Sequence, residues 1–180
     1  MLSSKRFGLV LLIAATGLIA GCEASVSTGG DEIDADDAAK TIQSQYPSQA
    51  DGLKLTEISC DSTDAEVDAT FDCTAKNDAG VSLDIKGTIN EVNKDTDNIK
   101  FDWTITKAVS DGKAYSDVAV TTLQKQGYAV ESMECPEFEI KTGVKVDCDV
   151  TMDDGSSQTA TITLTNDNGG FDVVTSGPTG

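Results

Sequence analysis

Apolar and polar residues alternate along much of the chain beyond residue 53. Every second position between residues 67 and 75 is apolar, and Asp or Thr occupies the positions between them. A period of two is typical of a β-strand with one face in the core and the other in water. The period recurs in 81–89 and 99–105, after an apolar stretch at 53–60. The pattern therefore predicts four consecutive strands.

A second group of four strands is predicted further along the chain. Its strands cover residues 128–134, 144–152, 158–165 and 171–175. Asp154-Gly155 is a strong hairpin signal between the second and third of them. The expected core residues are Phe71, Leu83, Ile85, Phe101 and Trp103 in the first group and Val146, Val150, Ile162, Leu164 and Phe171 in the second. A ligand-stacking role for Trp103 is the alternative to its place in the core.

A helix is predicted before each group of strands. The first runs from about Asp34 to Tyr46, because acids crowd its start and small apolar residues recur at helical spacing. Pro47 is expected to end it. The second begins near Gly112, and Gly127 is expected to close it. Its apolar stripe is Tyr115, Val118, Ala119, Thr122 and Leu123.

Two cysteine pairs with identical spacing mark an internal repeat. Cys60 and Cys73 are separated by twelve residues, as are Cys135 and Cys148, and each residue of the first pair lies 75 positions before its counterpart. The pattern predicts an α+β fold of two tandem repeats, each with one helix packed on a four-stranded antiparallel β-meander and a local disulfide. The expected segments are 1–22 signal peptide, 23–33 flexible tether, 34–106 first module, 107–113 linker, 114–175 second module and 176–180 tail.

Four cysteines allow three disulfide connectivities. We predict Cys60–Cys73 and Cys135–Cys148, because a duplicated module carries its own bond with it. Neighbouring antiparallel strands also bring opposite Cα atoms to about 4.5–5.5 Å, within disulfide range. Each bridge closes a loop of about 14 residues and is worth roughly 3 kcal/mol in the chain-entropy model.

The first 22 residues have the order of a bacterial export signal. Lys5 and Arg6 precede an apolar run, 7–19, that is too short to span a membrane. The run ends in Leu-Ile-Ala-Gly before Cys22, which resembles the lipobox of bacterial lipoproteins. That resemblance implies cleavage after Gly21 and lipidation of Cys22, which anchors the chain to the membrane. The alternative is an ordinary secretory signal with an incidental cysteine.

Charge and composition restrict the partners. The formal net charge of −18 becomes −20 once the two positive charges of the leader are removed, so the mature chain repels nucleic acid. The acidic surface is interpreted as the solvated face of an exported protein, with docking of a cation or a basic partner as the alternative. Evenly paired cysteines after an export signal indicate an oxidising compartment.

We expect no catalytic, cofactor or metal site. The chain has no His, which removes His-based triads and His metal ligands. Cysteines twelve residues apart do not have zinc-site spacing, and the acidic loops lack the order of a calcium loop. No phosphate-binding Gly loop or nucleophile elbow is present in the sequence.

The second module carries a family resemblance. Cys135-Pro136, Gly143 and Cys148 follow a predicted helix and precede a Gly turn and a late strand. This arrangement resembles the actinobacterial lipoprotein domain catalogued as domain of unknown function 4333, and the resemblance extends to both modules. The first module departs from it at Asp61, which replaces the Pro. The resemblance implies a cell-envelope lipoprotein and supplies neither an activity nor site residues.

Two functions therefore remain. The first is a non-catalytic binding module on the extracytoplasmic face of the cell membrane, with an envelope protein or glycan as its partner. The second is an inhibitor-like or chaperone-like accessory that engages an exported enzyme through a concave sheet surface. This alternative rests on an architecture similar to that of the secreted β-lactamase inhibitor proteins. An enzyme is the least favoured of the function classes.

Overall fold

The computed structural model describes residues 24–27, 31–50, 52–167 and 169–175. The chain divides into two units, whose described residues are 24–108 and 109–175. The elements in chain order are β1 (Ala24–Ser27), α1 (Ala35–Gln49), β2 (Leu55–Cys60), β3 (Thr70–Asn77), β4 (Val81–Asn93), β5 (Asn98–Ser110), α2 (Lys113–Lys125), β6 (Val130–Glu134), β7 (Phe138–Glu139), β8 (Lys145–Met152), β9 (Ser157–Leu164) and β10 (Phe171–Thr175).

The first unit is a sheet with the strand order β1-β5-β4-β3-β2 and one helix. Strands β2, β3 and β4 pair antiparallel in sequence, and β1 pairs antiparallel with β5. Burial alternates strictly along β3 and the first half of β4, as the sequence predicted. Side chains of α1 reach the sheet directly: Asn77 Nδ2 donates to the Tyr46 hydroxyl (3.0 Å), and Trp103 Nε1 donates to Gln45 Oε1 (2.9 Å).

The second unit has the strand order β10-β9-β8-β6, again with antiparallel pairing, and its helix is α2. Gly127 follows the helix with φ +93°, and the Tyr128 N–H donates to the Leu123 carbonyl. This is the glycine-terminated helix end that the sequence predicted. The short strand β7 was not predicted. It pairs with the last two residues of β5, which belong to this unit.

The same irregularity occurs in both sheets. The pairing register shifts between Leu55 and Glu57 in β2, and between Val130 and Ser132 in β6. In each case a helix glutamine donates to the carbonyl of the residue before the shift: Gln43 to Leu55 (3.0 Å) and Gln124 to Val130 (2.8 Å). A bulge disrupts the backbone ladder, so a side-chain donor beside it supplies a hydrogen bond.

The ten predicted core residues are all buried, at 5% exposure or less. Trp103 is 2% exposed, so its indole belongs to the core and not to a stacking surface. The tandem α+β organisation with antiparallel sheets is confirmed.

Two expectations in the first module are wrong. The helix does not stop at Pro47 but continues to Gln49. The proline removes one donor near the helix end, where the Ser48 hydroxyl still donates to the Gln45 carbonyl and the Ala50 N–H to the Tyr46 carbonyl. Val67 belongs to no strand and is 56% exposed. Asp68, at φ +69°, turns the chain there, so β3 starts only at Thr70.

Two segments expected to be irregular contain strands. Part of the predicted tether, residues 23–33, forms β1, in which Ala24 and Val26 are buried. The predicted linker, residues 107–113, is not irregular throughout. Residues 107–110 are the end of β5, and Lys113 is the first residue of α2. The alternation in β1 covers only four small residues, which is too short to predict a strand. Strand β5 continues to Ser110, beyond the residues in which apolar and polar positions alternate.

Candidate functional site

The two disulfides have the predicted pairing. Cys60 lies directly opposite Cys73 across β2 and β3, with a Cα–Cα distance of 4.0 Å. Cys135 follows β6 and is bonded to Cys148 of β8, with a Cα–Cα distance of 4.4 Å. Cys73 and Cys148 are buried at 2% and 1% exposure. Each bond therefore ties the edge strand of a sheet to its neighbour.

The second disulfide is also connected to the start of α2. The Cys135 N–H donates to the Ser116 hydroxyl (3.1 Å), which donates to the Gly112 carbonyl (3.0 Å). A side chain at Gly112 would overlap the Cys135 carbonyl, and its φ of +83° also favours glycine. The helix start and the disulfide segment are thus packed backbone against backbone.

Cys22 lies outside the described residues, so its lipidation stays a prediction. Among the residues that the structure describes, no helix has the length and apolar character to cross a membrane. The nearest described residue on the C-terminal side is Ala24, the first residue of β1.

Each sheet presents a polar outer face. In the first unit the exposed positions between the buried ones carry hydroxyl groups and side chains of both charge signs. Lys86 Nζ lies 4.0 Å from Asp72 Oδ1. This outer face comprises Thr70, Asp72, Thr74, Lys76, Ser82, Asp84, Lys86, Thr104 and Thr106. In the second unit Thr161 donates to Asp147 (2.7 Å) on the corresponding face. These faces offer many hydrogen-bonding groups without a deep cleft.

Two shallow depressions lie on the described surface. One lies in the second unit beside the Asp154 turn, between Ala129 and Gln158. The Ser156 hydroxyl and N–H hold the pKa of Asp154 below its usual value. The other lies in the first unit between β1 and α1, where Val26 and Lys40 are among its lining. No group of three potential metal-ligating side chains converges within the described part of the chain.

Two buried tyrosines differ in their partners. The Tyr46 hydroxyl accepts from Asn77, whereas the Tyr115 hydroxyl has no hydrogen-bond partner among the described residues. Burial raises the pKa of both phenols, and the Asn77 hydrogen bond partly offsets this for Tyr46. Both rings lie in the core, which gives them a structural role.

One known protein family matches both modules of the chain. The family described as Domain of unknown function (DUF4333) matches residues 17–93 and again residues 100–169. The chain belongs to this family. Each DUF4333 match contains one helix and one disulfide, which confirms the tandem arrangement. The first match begins at Gly17, so it includes Cys22 and the apolar residues directly before it. The chain matches no curated protein and no solved structure.

Proposed function

We propose that this DUF4333 chain is a lipoprotein anchored through acyl groups on Cys22 to the extracytoplasmic face of the cell membrane. The observation that carries the proposal is the segment 18–22, a lipobox-like sequence that falls inside the first family match. Two disulfides support it, because they persist in oxidising compartments outside the cytoplasm.

At the membrane, the protein acts as a non-catalytic binding module for an envelope protein or glycan. Its binding surface is the outer face of the first sheet. This face is favoured over that of the second sheet because β4 is 13 residues long, whereas β9 and β10 have eight and five. Its hydroxyls and paired charges suit a polar partner.

The repeating unit is one helix on a four-stranded meander, β2–β5 in the first module and β6, β8, β9 and β10 in the second.

The anchor is tested with Cys22→Ala and with Ser25→Ala as the matched control. Loss of the thiol removes the acyl attachment, so Cys22→Ala is expected in the soluble fraction or as an uncleaved precursor. Ser25→Ala is expected to remain in the detergent phase and to incorporate a labelled fatty acid. A Cys22→Ala protein that is fully processed and still in the membrane overturns the anchor.

The binding surface is tested by site-specific photocrosslinking in the envelope. A photoreactive residue at Thr74 lies on the outer face, and one at Ser44 lies on the exposed side of α1. We expect crosslinked products from position 74 and few from position 44. Equal yields from both positions contradict the assignment. A single exported enzyme recovered in stoichiometric amount from position 74 favours the inhibitor-like or chaperone-like function instead.

A further inference from the structure

Strand β1 joins the N-terminal segment to the first sheet. Its four residues pair with Asn98–Phe101 of β5, with Ala24 opposite Phe101. Ala24 is 1% exposed and Val26 is 5% exposed, and β1 also contacts α1. The segment therefore has the backbone pairing and the burial of an integral edge strand.

The covalent distance from β1 to the proposed anchor is short. Only Glu23 separates Ala24 from Cys22. Two residues span at most about 7 Å, so the Cys22 Cα lies within about 7 Å of the Ala24 Cα. Opposite Cα atoms in an antiparallel pair are about 4.5–5.5 Å apart, and Trp103 is two residues beyond Phe101. The Cα of Trp103 therefore lies within roughly 20 Å of the Cα of Cys22.

We propose that β1 is a strap that holds the first unit directly against the lipid headgroups of the membrane. This inference rests on the proposed lipidation of Cys22. Residues 23–33 as an unpaired tether would reach roughly 35–40 Å when extended, whereas the strap leaves one residue between the anchor and the fold. The partner of this end of the first sheet is the phospholipid surface itself.

The charge of the chain makes the strap measurable. At −20 after removal of the leader, the protein is repelled by a bilayer that contains anionic lipid. A tethered unit would lift away at low salt and approach as salt screens the repulsion. A strapped unit keeps its distance, because four residues of backbone pairing oppose the lifting.

Trp103 is the only Trp and lies on the strand that receives β1, so it reports this distance. The experiment places the purified lipidated protein in phosphatidylcholine–phosphatidylglycerol vesicles with a dansyl headgroup lipid as energy acceptor. Between about 0.02 M and about 0.5 M NaCl the Debye length falls from roughly 20 Å to roughly 4 Å. We expect transfer from Trp103 to be strong and constant over this range. Transfer that rises with salt overturns the strap.

Two insertions of the same length sharpen the result. Ten Gly/Ser residues between Glu23 and Ala24 add an r.m.s. span of about 18 Å, so transfer at low salt is expected to fall by about half or more and to become salt-dependent. The same insertion between Asp95 and Thr96, in the exposed turn before β5, is the control and leaves transfer unchanged. If the insertion before β1 has no effect, the strap is wrong. A native protein that carries no acyl group and does not bind vesicles overturns the anchor itself, which distinguishes that failure from the failure of the strap.

Discussion

The two units fill equivalent core positions with different combinations of volume. In the first sheet Phe71 lies opposite Gly87, and at the positions 75 residues later Val146 lies opposite Ile162. A side-chain carbon at Gly87 would overlap the Phe71 ring. One unit thus pairs the largest common apolar side chain with none, and the other pairs two of medium size. The two units thus fill the same cross-strand position with different side chains.

The helix and the sheet share the aromatic residues differently in the two units. In the first, the strands supply Phe71 and Phe101, which pack edge to face with ring centroids 5.2 Å apart, and the helix residue Tyr46 accepts a hydrogen bond from Asn77. In the second, the helix supplies Tyr115, whose ring lies 4.8 Å from that of Phe138. The ring contacts therefore join two strands in the first unit and the helix to strands in the second, where Tyr115 also contacts Phe171.

The largest predicted effect comes from the Phe71–Gly87 pair. Gly87→Ile alone is expected to destabilise the first unit by about 3 kcal/mol or more, because the added side chain has no space beside the ring. Adding Phe71→Val recreates the combination found in the second unit and should restore most of that loss. Urea unfolding of the single and double variants measures it. If the losses in unfolding free energy from the two single substitutions add up in the double variant, the two side chains do not compete for the same space.

The disulfides are predicted to stabilise the two units by similar amounts. The sequence separation is 13 residues in both, so each double Cys→Ser variant should cost about 3 kcal/mol. Hydrogen exchange is expected to lose protection within 24–108 for the first pair of substitutions and within 109–175 for the second. Loss throughout the chain from either pair means that the units do not fold separately.

Replacing each buried tyrosine with phenylalanine should affect the free energy of unfolding differently. Tyr46→Phe leaves the Asn77 side-chain N–H without its acceptor and is expected to cost about 1–3 kcal/mol. Tyr115→Phe removes a hydroxyl that has no partner among the described residues, and is expected to be neutral or to stabilise by up to about 1 kcal/mol. Thermal unfolding of both variants checks this, and a loss at Tyr115 equal to that at Tyr46 contradicts it.

The smallest effect is a dependence on alkaline pH. Burial raises the pKa of Tyr115 in the folded state above its unfolded value, so its contribution is complete below about pH 10 and is lost as the pH rises further. One such group gives a slope of about 1.4 kcal/mol per pH unit above pH 10. In unfolding measurements between pH 9 and pH 11, Tyr115→Phe should remove that slope from the second unit. An unchanged slope assigns it to other groups.

Sequence periodicity predicted the strand faces because burial alternates wherever a strand is covered on one side only. It predicted the pairing of the cysteines because the repeat carries equal spacing. It did not predict β1, whose Ala24 and Val26 give only two apolar positions, or β7, which has two residues. Partner choice for such short strands depends on the tertiary fold. The Pro47 error has a similar cause, since neighbouring hydrogen bonds preserve the helix beyond a local helix breaker.

The candidate surface was less predictable than the fold. The sequence placed Thr and Asp between apolar residues, which indicated a solvent-exposed face, but it did not show that β4 and β5 are each 13 residues long. Strand length is decided by pairing, which continues in β5 after the apolar alternation has ended. The lipobox-like segment 18–22 was recognised without the structure, because it is a contiguous stretch of sequence.

The central claim is that the chain consists of two modules, each closed by its own disulfide. Trypsin mapping of the non-reduced protein tests it most directly. Cys60 and Cys73 lie in one tryptic peptide, 55–76, whereas Cys135 and Cys148 lie in two, 126–141 and 146–180. Two separately bridged modules give peptide 55–76 alone and lighter by two hydrogens than its reduced form, together with 126–141 bonded to 146–180. Peptide 55–76 bonded to either of the others would contradict it.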